Sequence, residues 1–374
     1  MKKIIVSVTN DLYTDQRVDK ICNWLVSQNH EVLLVGRLRK NSLPLPEKSY
    51  QTKRMRLLFD KGALFYAEYN WRLFLLLVFR KKDCLLSNDL DTLLANFMAQ
   101  KLSSKAALVY DSHEYYTEVP ELVARPKVKK VWESIEKRIF PKLKHVYTVN
   151  DSIAGFYRDK YKVHINVIRN ISLKFKANEK LLSKEELGLP LDKNIIILQG
   201  AGINVDRGAE EMIEAMQFIE GAIFLIVGDG DVVPDLKNYV AVHKLSDKVI
   251  FKGRQPYMTM MNYTIHADLG LSLDKANNLN YKYALPNKLF DYIHTTTPIA
   301  CSNTVEVSKI VREENAGIVI SSHEPKTIAK EIQQLLDDKA RLDQLKLNCK
   351  NAAQHLNWEN ESKKLQNIYA FLND

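Results

Sequence analysis

Short runs of apolar and β-branched residues recur along this chain of 374 residues, and amphipathic segments separate many of them. The runs are IIVSV from Ile4, VLLVG from Val32, ALVYDS from Ala107, VYTV from Val146, IIILQG from Ile195, IFLIVG from Ile223 and VIFKG from Val249. Between the first two, Val18, Ile21, Cys22 and Leu25 follow the i, i+3, i+4, i+7 spacing of one helix face. Apolar strands that alternate with such helices predict parallel sheets covered by helices on both faces.

This α/β pattern occurs twice, which predicts two domains that are each long enough to bury a core of their own. The lysine-rich segment 172–194 carries no strand pattern, so we expect the first domain to end near its start. We therefore assign residues 1–170 to an N-terminal domain and residues 171–355 to a C-terminal domain. The last segment, 356–374, is amphipathic and predicts a helix that packs back on the first domain.

The formal net charge of +9 favours a negatively charged partner, which could be nucleic acid, anionic lipid or a small substrate. No nucleic-acid-binding motif accompanies the charge, so we expect no nucleic-acid partner. The four scattered cysteines lack the spacing of a metal or disulfide framework and indicate the cytoplasm. The N-terminus, MKKIIVSVTNDL, is interpreted as a strand and not as a secretory signal. The longest apolar run, 73–79, is far below the roughly 20 residues that span a bilayer.

The segment ALPNKLFDYI leads from a polar loop into a helix. Pro286 suits a first helical turn, Asn287 can cap it, and the free N–H groups around Lys288 and Leu289 would attract a phosphate at the positive end of the helix dipole. Asp291 lies about one turn further along, where it can accept hydrogen bonds from ribose hydroxyls. The segment therefore predicts a pocket for a sugar nucleotide.

Glycine-rich turns follow three of the predicted strands of the second half. The first turn contains Gly202 and Arg207, whose forked guanidinium can bind a diphosphate, although a solvated surface arginine is the alternative. Gly228 and Gly230 follow the next strand, and Arg254 follows the one after. Because open α/β sheets bind ligands at the carboxyl ends of their strands, we expect these turns to line one site.

The first half places polar residues at equivalent positions. Thr14 and Asp15 stand where a helix cap is expected, and Arg17 follows in the first turn, where a cation opposes the helix dipole. Arg17 is therefore interpreted as a contact for a ligand or an interdomain carboxylate, with a plain surface arginine as the alternative. Asp89 and His113 follow two further strands, and a histidine there can donate to a sugar hydroxyl, although a lone histidine can also be structural.

Together these segments resemble family 4 of the retaining glycosyltransferases. The segments that carry the resemblance, in the family's order, are DQRVDKICNWLVSQNHEVLLVGR, YDSHEYYTE, TVNDSIAGFY, QGAGINVDRGAEEMIEA, IVGDGD, VIFKG, LPNKLFDYIHTTTPIAC and the final NWEN. They extend over essentially the entire chain. The resemblance implies the GT-B fold, in which two Rossmann-like parallel-sheet domains face a central cleft and a C-terminal helix crosses back to the N-terminal domain.

The resemblance also implies a donor site in the C-terminal domain. Its ligand would be a UDP- or GDP-linked sugar, with Arg207 on the diphosphate, Asp291 on the ribose, and backbone amides near Asn287 and Lys288 on the phosphates. His113 would lie near the transferred sugar, so that His113, Arg207 and Asp291 are the expected catalytic residues. Members of the family usually need no metal or other cofactor, because helix dipoles and cations stabilise the leaving group.

The N-terminal domain would bind the acceptor, with Asp15, Arg17 and Asp89 on that side. The expected acceptor is a glycan or a lipid-linked molecule in cell-surface polysaccharide synthesis. Two alternatives remain open, a sugar-nucleotide epimerase of the same fold and a catalytically silent nucleotide-sugar-binding or interaction protein. The short D-x-D spacings at Asp89 and Asp229 are discounted as a metal motif.

The sequence departs from the family pattern at two places. The family's E-x7-E motif falls on Tyr283 and Asp291, so the first glutamate is absent and the second carboxylate is shortened by one methylene. The missing sugar contact would then come from Asp274 or Asn280.

The second departure lies in the phosphate loop. A basic residue is frequent in the family six positions before Arg207, where this chain has Ala201. Binding of the diphosphate would then depend on Arg207 and Lys288.

The segment Tyr69–Lys82, YNWRLFLLLVFRKK, suggests a membrane contact. Arg72, Arg80, Lys81 and Lys82 flank its apolar residues, which suits an interfacial helix on anionic lipid. A buried helix of the first domain is equally compatible. We therefore expect a cytoplasmic protein and take peripheral attachment to the inner membrane face as a hypothesis.

Overall fold

The computed structural model describes residues 1–13, 15–103, 105–175 and 181–372. The chain divides into two compact units, one of Met1–Arg169 with Ser362–Asp374, and one of Asn170–Glu361. The chain thus re-enters the first unit at Ser362, six residues after the predicted start of the last segment at 356.

Each unit is built on one parallel sheet. The strands are β1 (Lys3–Ser7), β2 (Glu31–Leu38), β3 (Gln51–Arg56), β4 (Cys84–Asn88), β5 (Ala107–Ser112), β6 (His145–Thr148), β7 (Asn166–Val167), β8 (Asn194–Gly200), β9 (Ala222–Gly228), β10 (Val249–Phe251), β11 (Leu269–Ser272), β12 (Ile299–Cys301) and β13 (Gly317–Val319). The order is β3-β2-β1-β4-β5-β6-β7 in the first unit and β10-β9-β8-β11-β12-β13 in the second. All of these neighbouring strands pair in parallel, which confirms the predicted fold of two parallel-sheet α/β domains.

Helices connect the strands. They are α1 (Gln16–Ser27), α2 (Gly62–Phe79), α3 (Leu90–Leu102), α4 (Pro120–Val123), α5 (Pro126–Ile139), α6 (Asp151–Tyr161), α7 (Ala209–Ala215), α8 (Val233–Val242), α9 (Tyr257–Ile265), α10 (Leu279–Tyr283), α11 (Asn287–His294), α12 (Val305–Glu313), α13 (Pro325–Asp337), α14 (Lys339–Ala352), α15 (Trp358–Glu361) and α16 (Leu365–Ile368). Short 3-10 helices span Tyr116–Glu118, Phe140–Lys142, Ser362–Lys364 and Ala370–Leu372. Strands and helices therefore alternate along most of the described chain, as the sequence pattern predicts, although within the described residues β3 follows β2 and β8 follows β7 without a helix between them.

Strand β8 illustrates why the apolar runs are nearly continuous. Ile196 packs in a cluster with residues of α7 and α13 on one face of the sheet. Its neighbours Ile195 and Ile197 point to the opposite face and pack with residues of α11. Because successive side chains of a strand point to opposite faces, a strand covered on both sides must be apolar at every position.

The C-terminal segment is not the single amphipathic helix that the sequence predicts. Within the described residues it consists of α15, α16 and two 3-10 turns, and one of these turns begins where the chain passes from the second unit to the first. Tyr369 nevertheless packs in the first unit, where its hydroxyl lies 3.3 Å from that of Tyr147 and its ring 5.6 Å from that of Trp24.

Two glycines allow the loops after β8 and β9 to touch. Gly228 has a φ of +151°, and a Cβ there would lie 1.8 Å from the carbonyl oxygen of Gly200. A Cβ on Gly230 would lie 2.1 Å from the carbonyl oxygen of Ile203. The backbone N–H of Ile203 donates to the carbonyl of Asp229 at 3.1 Å across the same contact. These glycines thus allow the close contact between the ends of β8 and β9 and the loops that follow them. Their place in a ligand site stays a prediction.

We predict that Gly228→Ala destabilises the second unit. The new Cβ meets backbone atoms and cannot move away, so the free energy of unfolding should fall by about 1–3 kcal/mol, as for other overpacked sites. Gly202→Ala is the matched control, because a Cβ there has no atom within 4 Å. Urea denaturation of both variants would measure the difference, and equal losses would contradict the explanation.

Candidate functional site

The start of α11 lies where the sequence predicts an anion-binding helix end, but the helix begins one residue later than expected. Pro286 precedes the helix with φ −75° and ψ 145°, and Asn287 is the first helical residue. The predicted cap by Asn287 is therefore wrong, and no side chain of the described residues caps this end. The first N–H groups and the positive end of the helix dipole remain available to an anion, while Leu289 is buried below them.

Two cations and one carboxylate lie together beside this helix end. Arg207 Nη1 donates to Asp274 Oδ1 at 3.2 Å, and the guanidinium carbon lies 4.2 Å from the centre of the Tyr281 ring. Burial lowers the pKa of Lys288, nearby Asp274 raises it, and nearby Arg207 lowers it further. Because burial disfavours the charged ammonium, an anion bound to Lys288 would offset this effect and raise its pKa again.

Several donors in this region have no protein partner within the described residues. Lys288 Nζ forms neither a hydrogen bond nor an ion pair there, and Arg207 Nε and Ser272 Oγ are buried without a partner. Ser272 is the last residue of β11, two residues before Asp274, so these atoms lie at the carboxyl edge of the sheet. Buried polar groups without partners are rare in native proteins and indicate a place for a ligand or water.

Asp291 lies deeper than the sequence suggests. It is 3% exposed, and Oδ1 accepts hydrogen bonds from Ser172 Oγ at 2.5 Å and from the Tyr257 hydroxyl at 2.9 Å. Oδ2 accepts from Gln199 Nε2 at 3.0 Å. The Thr264 hydroxyl in turn donates to Gln199 Oε1. The carboxylate therefore connects α11 to β8, α9 and the first residues of the second unit.

The partners of Asp291 are residues that the sequence analysis missed. Ser172 precedes Asp291 by 119 positions and Gln199 by 92. Gln199 is the first residue of the segment QGAGINVDRGAEEMIEA, but the sequence analysis assigned a role to neither side chain. Only the placement of Gln199 near the end of an apolar strand could have singled it out, because a polar residue there is expensive to bury without a partner.

The other residues predicted for the sugar-nucleotide site make fewer side-chain contacts. Gly202 is exposed, and Arg254 is exposed without a side-chain partner in the described part of the chain. Tyr283 ends α10, where Lys282 Nζ lies 5.4 Å from the centre of its ring. Asn280 is buried in the same short helix. The roles assigned to these residues stay predictions.

In the first unit, Arg17 forms a buried ion pair. Its Nε and Nη2 donate to the two oxygens of Asp111 at 2.9 and 2.7 Å, and Nη1 donates to the carbonyl of Ile168 at 2.9 Å. Arg17 is 3% exposed. The expected interdomain carboxylate and the surface alternative are therefore wrong, because Asp111 belongs to the same unit and the pair is buried. The expected contact of Arg17 to a ligand stays a prediction.

His113 lies between two carboxylates at the carboxyl ends of β4 and β5. Its Nδ1 is 3.3 Å from Asp89 Oδ2 and its Nε2 is 3.3 Å from Asp111 Oδ2, while Nε2 also lies 3.1 Å from Asn88 Oδ1. Burial lowers the pKa of His113, but Asp89 and Asp111 outweigh it and raise the pKa to about 9. The ring is therefore an imidazolium at neutral pH and can donate a proton but not accept one.

Asp89 is fixed in an unusual backbone conformation. It has a φ of +57°, its N–H donates to the carbonyl of Asp111, and its Oδ1 accepts the N–H of His113 at 2.8 Å. Burial raises the pKa values of Asp89 and Asp91 to about 6, so both are mainly ionised at neutral pH. No group of three or more His, Cys, Asp or Glu within the described residues could hold a metal ion.

Asp15 has a local structural role. Its Oδ1 accepts the N–H of Val18 at 3.2 Å, which confirms a cap on α1, and its Oδ2 accepts from Asn10 Nδ2 at 3.3 Å. Thr14, the other predicted cap residue, lies outside the described residues. The expected acceptor-side role of Asp15 stays a prediction.

Comparison with solved structures identifies the fold. Sucrose-phosphate synthase from Thermosynechococcus elongatus superimposes with a TM-score of 0.79 at 16% identity, covering 100% of this chain and 99% of that one. A glycosyltransferase from Rickettsia africae gives 0.76 at 14% identity over 100% and 99%. Anabaena HepE in complex with UDP and glucose gives 0.75 at 13% identity over 99% and 100%. The chain therefore has the fold of the GT-B glycosyltransferases, with one parallel-sheet α/β domain in each unit.

Sequence comparison then identifies the family of the second unit. Residues 179–355 match the family model of glycosyl transferases group 1, so the chain carries a domain of that family. A curated relative, the alpha-D-kanosaminyltransferase of Streptomyces kanamyceticus, is 26% identical over 153 residues, which are 40% of this chain and 38% of the relative. In the described part of the chain, no helix is both long and apolar enough to span a membrane.

We predict that Arg17→Met strongly destabilises the first unit. Removal of the guanidinium leaves the Asp111 carboxylate buried without its cation, which typically costs about 3–5 kcal/mol. Urea denaturation at neutral pH would measure this loss, with Arg254→Met as the control at an exposed, unpaired arginine. The loss should shrink in acid, where Asp111 can bind a proton, and a loss as small as that of the control would refute the assignment.

We also predict a pH dependence of stability from His113. Since its pKa rises from about 6.5 in the unfolded chain to about 9 in the folded protein, the stabilisation is complete below pH 6.5 and is lost as the pH rises through 9. The two pKa values correspond to at most about 3 kcal/mol. Unfolding at pH 6.5 and at pH 9 should show this decline, and His113→Gln should flatten it. An unchanged slope in the variant would contradict the prediction.

Proposed function

We propose that this protein is a retaining glycosyltransferase that takes a hexosyl or N-acetylhexosaminyl group from a UDP- or GDP-linked donor. The observation that carries the proposal is that two cations, Lys288 and Arg207, lie near each other at the uncapped start of α11. Lys288 has no protein partner in the described residues. The acceptor would be a glycan or a lipid-linked molecule in cell-surface polysaccharide synthesis. HepE, with UDP and glucose bound, and the kanosaminyltransferase support a nucleotide-sugar donor.

The diphosphate would bind between the two cations and the helix end. Asp274 fixes the guanidinium of Arg207 over the Tyr281 ring, so Arg207 is oriented before the donor arrives. Lys288 and the first amides of α11 would bind the remaining phosphate oxygens. When the bond to the sugar breaks, negative charge grows on the departing diphosphate, and these fixed positive groups stabilise it without a metal.

Asp291 would bind the ribose only in competition with the protein. Its carboxylate already accepts hydrogen bonds from Ser172, Gln199 and Tyr257, so a ribose hydroxyl must share an oxygen with one of these donors or displace it. Asp274, proposed from the sequence as a substitute sugar contact, is instead assigned to the orientation of Arg207. Asn280 and Tyr283 remain the candidates near the transferred sugar.

Retention of configuration follows when the acceptor attacks from the face that the diphosphate leaves. The departing phosphate can then accept the proton of the acceptor hydroxyl, so no pair of carboxylates of the hydrolase kind is needed. His113, as an imidazolium, would not act as a base, and it would donate a hydrogen bond to a hydroxyl of the sugar by sharing an N–H that also faces Asp89 or Asp111. The first unit would bind the acceptor, and we propose a cytoplasmic location with peripheral attachment to the inner membrane face.

We predict that Arg207→Ala and Lys288→Ala each weaken use of the donor. Loss of one charge-assisted hydrogen bond should reduce kcat/KM roughly 10- to 100-fold. The assay incubates the purified protein with UDP-glucose, UDP-N-acetylglucosamine and GDP-mannose and follows release of the nucleotide diphosphate, with and without a chelator. Lys309→Ala, at an exposed lysine of α12, is the matched control and should retain full activity.

The products distinguish the proposal from its rivals. A free or transferred sugar that keeps the donor's anomeric configuration supports a retaining transferase. A sugar that changes configuration while still attached to the nucleotide would indicate an epimerase, for which the His113, Asp89 and Asp111 cluster is the relevant observation. Binding of the donor without any turnover would indicate a silent binding protein. Both of these outcomes would overturn the proposal.

A further inference from the structure

Helix α2 of the first unit has two apolar faces. The buried face, at i, i+4 spacing, consists of Phe65, Tyr69, Leu73 and Leu77. On the opposite side, the exposed large residues are Leu64, Trp71, Leu75 and Phe79, of which Trp71 is 61% and Phe79 84% exposed. The buried helix considered from the sequence is therefore confirmed for the inner face of α2, while the interfacial helix stays a prediction for its exposed outer face. An amphipathic helix that packs on a core normally presents polar residues to water, so the outer stripe requires an explanation.

The one acidic side chain on the outer side of α2, Glu68, is bound by other groups of the protein. Glu68 forms an ion pair with Arg72 at 2.8 Å, and its carboxylate accepts the N–H groups of Leu58 and Phe59 at 2.8 to 3.0 Å. These bonds fix the loop before the helix in place, and the side chains of Leu58 and Phe59 are exposed. The charge of Glu68 is thus compensated within the protein, and the loop that it binds adds two more exposed apolar side chains to this unit.

A basic cavity lies at the end of the same stripe. It has a volume of about 320 Å3 and is lined by residues that include Lys3, Glu31, Phe79, Arg80 and Lys81. Lys3 pairs with Glu31 at 3.3 Å, which neutralises the acid. The side chains of Arg80 and Lys81 are exposed and have no hydrogen-bond or ion-pair partner in the described part of the chain. The cavity therefore combines an apolar wall at Phe79 with two uncompensated positive charges.

We propose that these two features form one docking surface for a bilayer that contains anionic phospholipid. Trp71, Leu75 and Phe79 would enter the boundary between headgroups and acyl chains, and a lipid phosphate would bind in the cavity between Arg80 and Lys81. The inference specifies the peripheral attachment of the proposed function, but it does not depend on the chemistry of sugar transfer.

The chemistry of the surface fits a bilayer better than a protein partner. A helix that lies in the interface places its apolar side chains about 5–10 Å deep, with tryptophan at the headgroup level and basic residues reaching the phosphates. The surface has this order along α2, because the apolar residues lead to Phe79 and the cations Arg80, Lys81 and Lys82 follow directly. A second copy of the chain would bring the same positive charges together and repel them.

Vesicle flotation tests the docking surface. The full chain should float with phosphatidylcholine vesicles that contain phosphatidylglycerol and not with pure phosphatidylcholine. Arg80→Gln with Lys81→Gln should weaken binding roughly 25-fold, since each basic residue near an anionic membrane contributes about a fivefold factor. The matched control is Lys339→Gln with Arg341→Gln, which removes two exposed charges from the second unit and should bind as the unchanged protein does.

Fluorescence tests the insertion of the apolar stripe. Brominated acyl chains should quench the emission of Trp71, and Trp71→Phe should abolish this quenching. Phe79→Ser should weaken flotation, whereas Leu347→Ser, at an exposed leucine of α14, should not. Equal recovery with neutral and anionic vesicles, no recovery with either, or self-association that Phe79→Ser removes would overturn the proposal. None of these variants alters the donor site, so unchanged release of nucleotide diphosphate separates this inference from the proposed function.

Discussion

The carboxylate of Asp291 is the interaction on which the candidate donor site depends. It accepts hydrogen bonds from β8, from α9 and from the first residues of the second unit. One turn later, the ring nitrogens of His294 lie 3.0 and 2.7 Å from the carbonyl oxygens of Leu173 and Leu356. Helix α11 is therefore fixed to the chain where it enters the second unit and where it is about to leave it. Its first turn, with Lys288, occupies a defined position at the edge of the sheet as a result.

The first unit uses a buried ion pair for the same purpose. The bidentate contact between Arg17 and Asp111 connects α1 to the end of β5, and Asp111 in turn contacts the ring of His113. Such a pair gains little net stability, because both charges lose their water, but loss of one partner is costly. The main effect of the pair is therefore to hold Asp111 in place, and not to stabilise the fold. Because Asp111 is held, the imidazolium of His113 has a defined position between Asp111 and Asp89.

The sequence predicted the fold better than the contacts within the site. Apolar strands that alternate with amphipathic helices predict the two parallel sheets, since a strand covered on both faces must be apolar at nearly every position. No sequence pattern predicts a contact such as that between Arg17 and Asp111, because the two residues are 94 positions apart and both residue types are common on protein surfaces. Asp291 shows the same limit, since a local motif can indicate that a carboxylate is needed but cannot show which distant donors surround it.

The electrostatics of the two units differ in a way that is consistent with the ligands proposed for them. The second unit places two cations, Arg207 and Lys288, near one carboxylate, Asp274, and adds the positive end of α11. At neutral pH the first unit places Arg17 and His113 among three carboxylates, Asp89, Asp91 and Asp111. A diphosphate is therefore attracted to the second cluster and repelled by the first. Sugar hydroxyls are neutral, so the carboxylates of the first unit do not repel them, and they can form hydrogen bonds with the groups of that cluster. This asymmetry supports donor binding in the second unit and acceptor binding in the first.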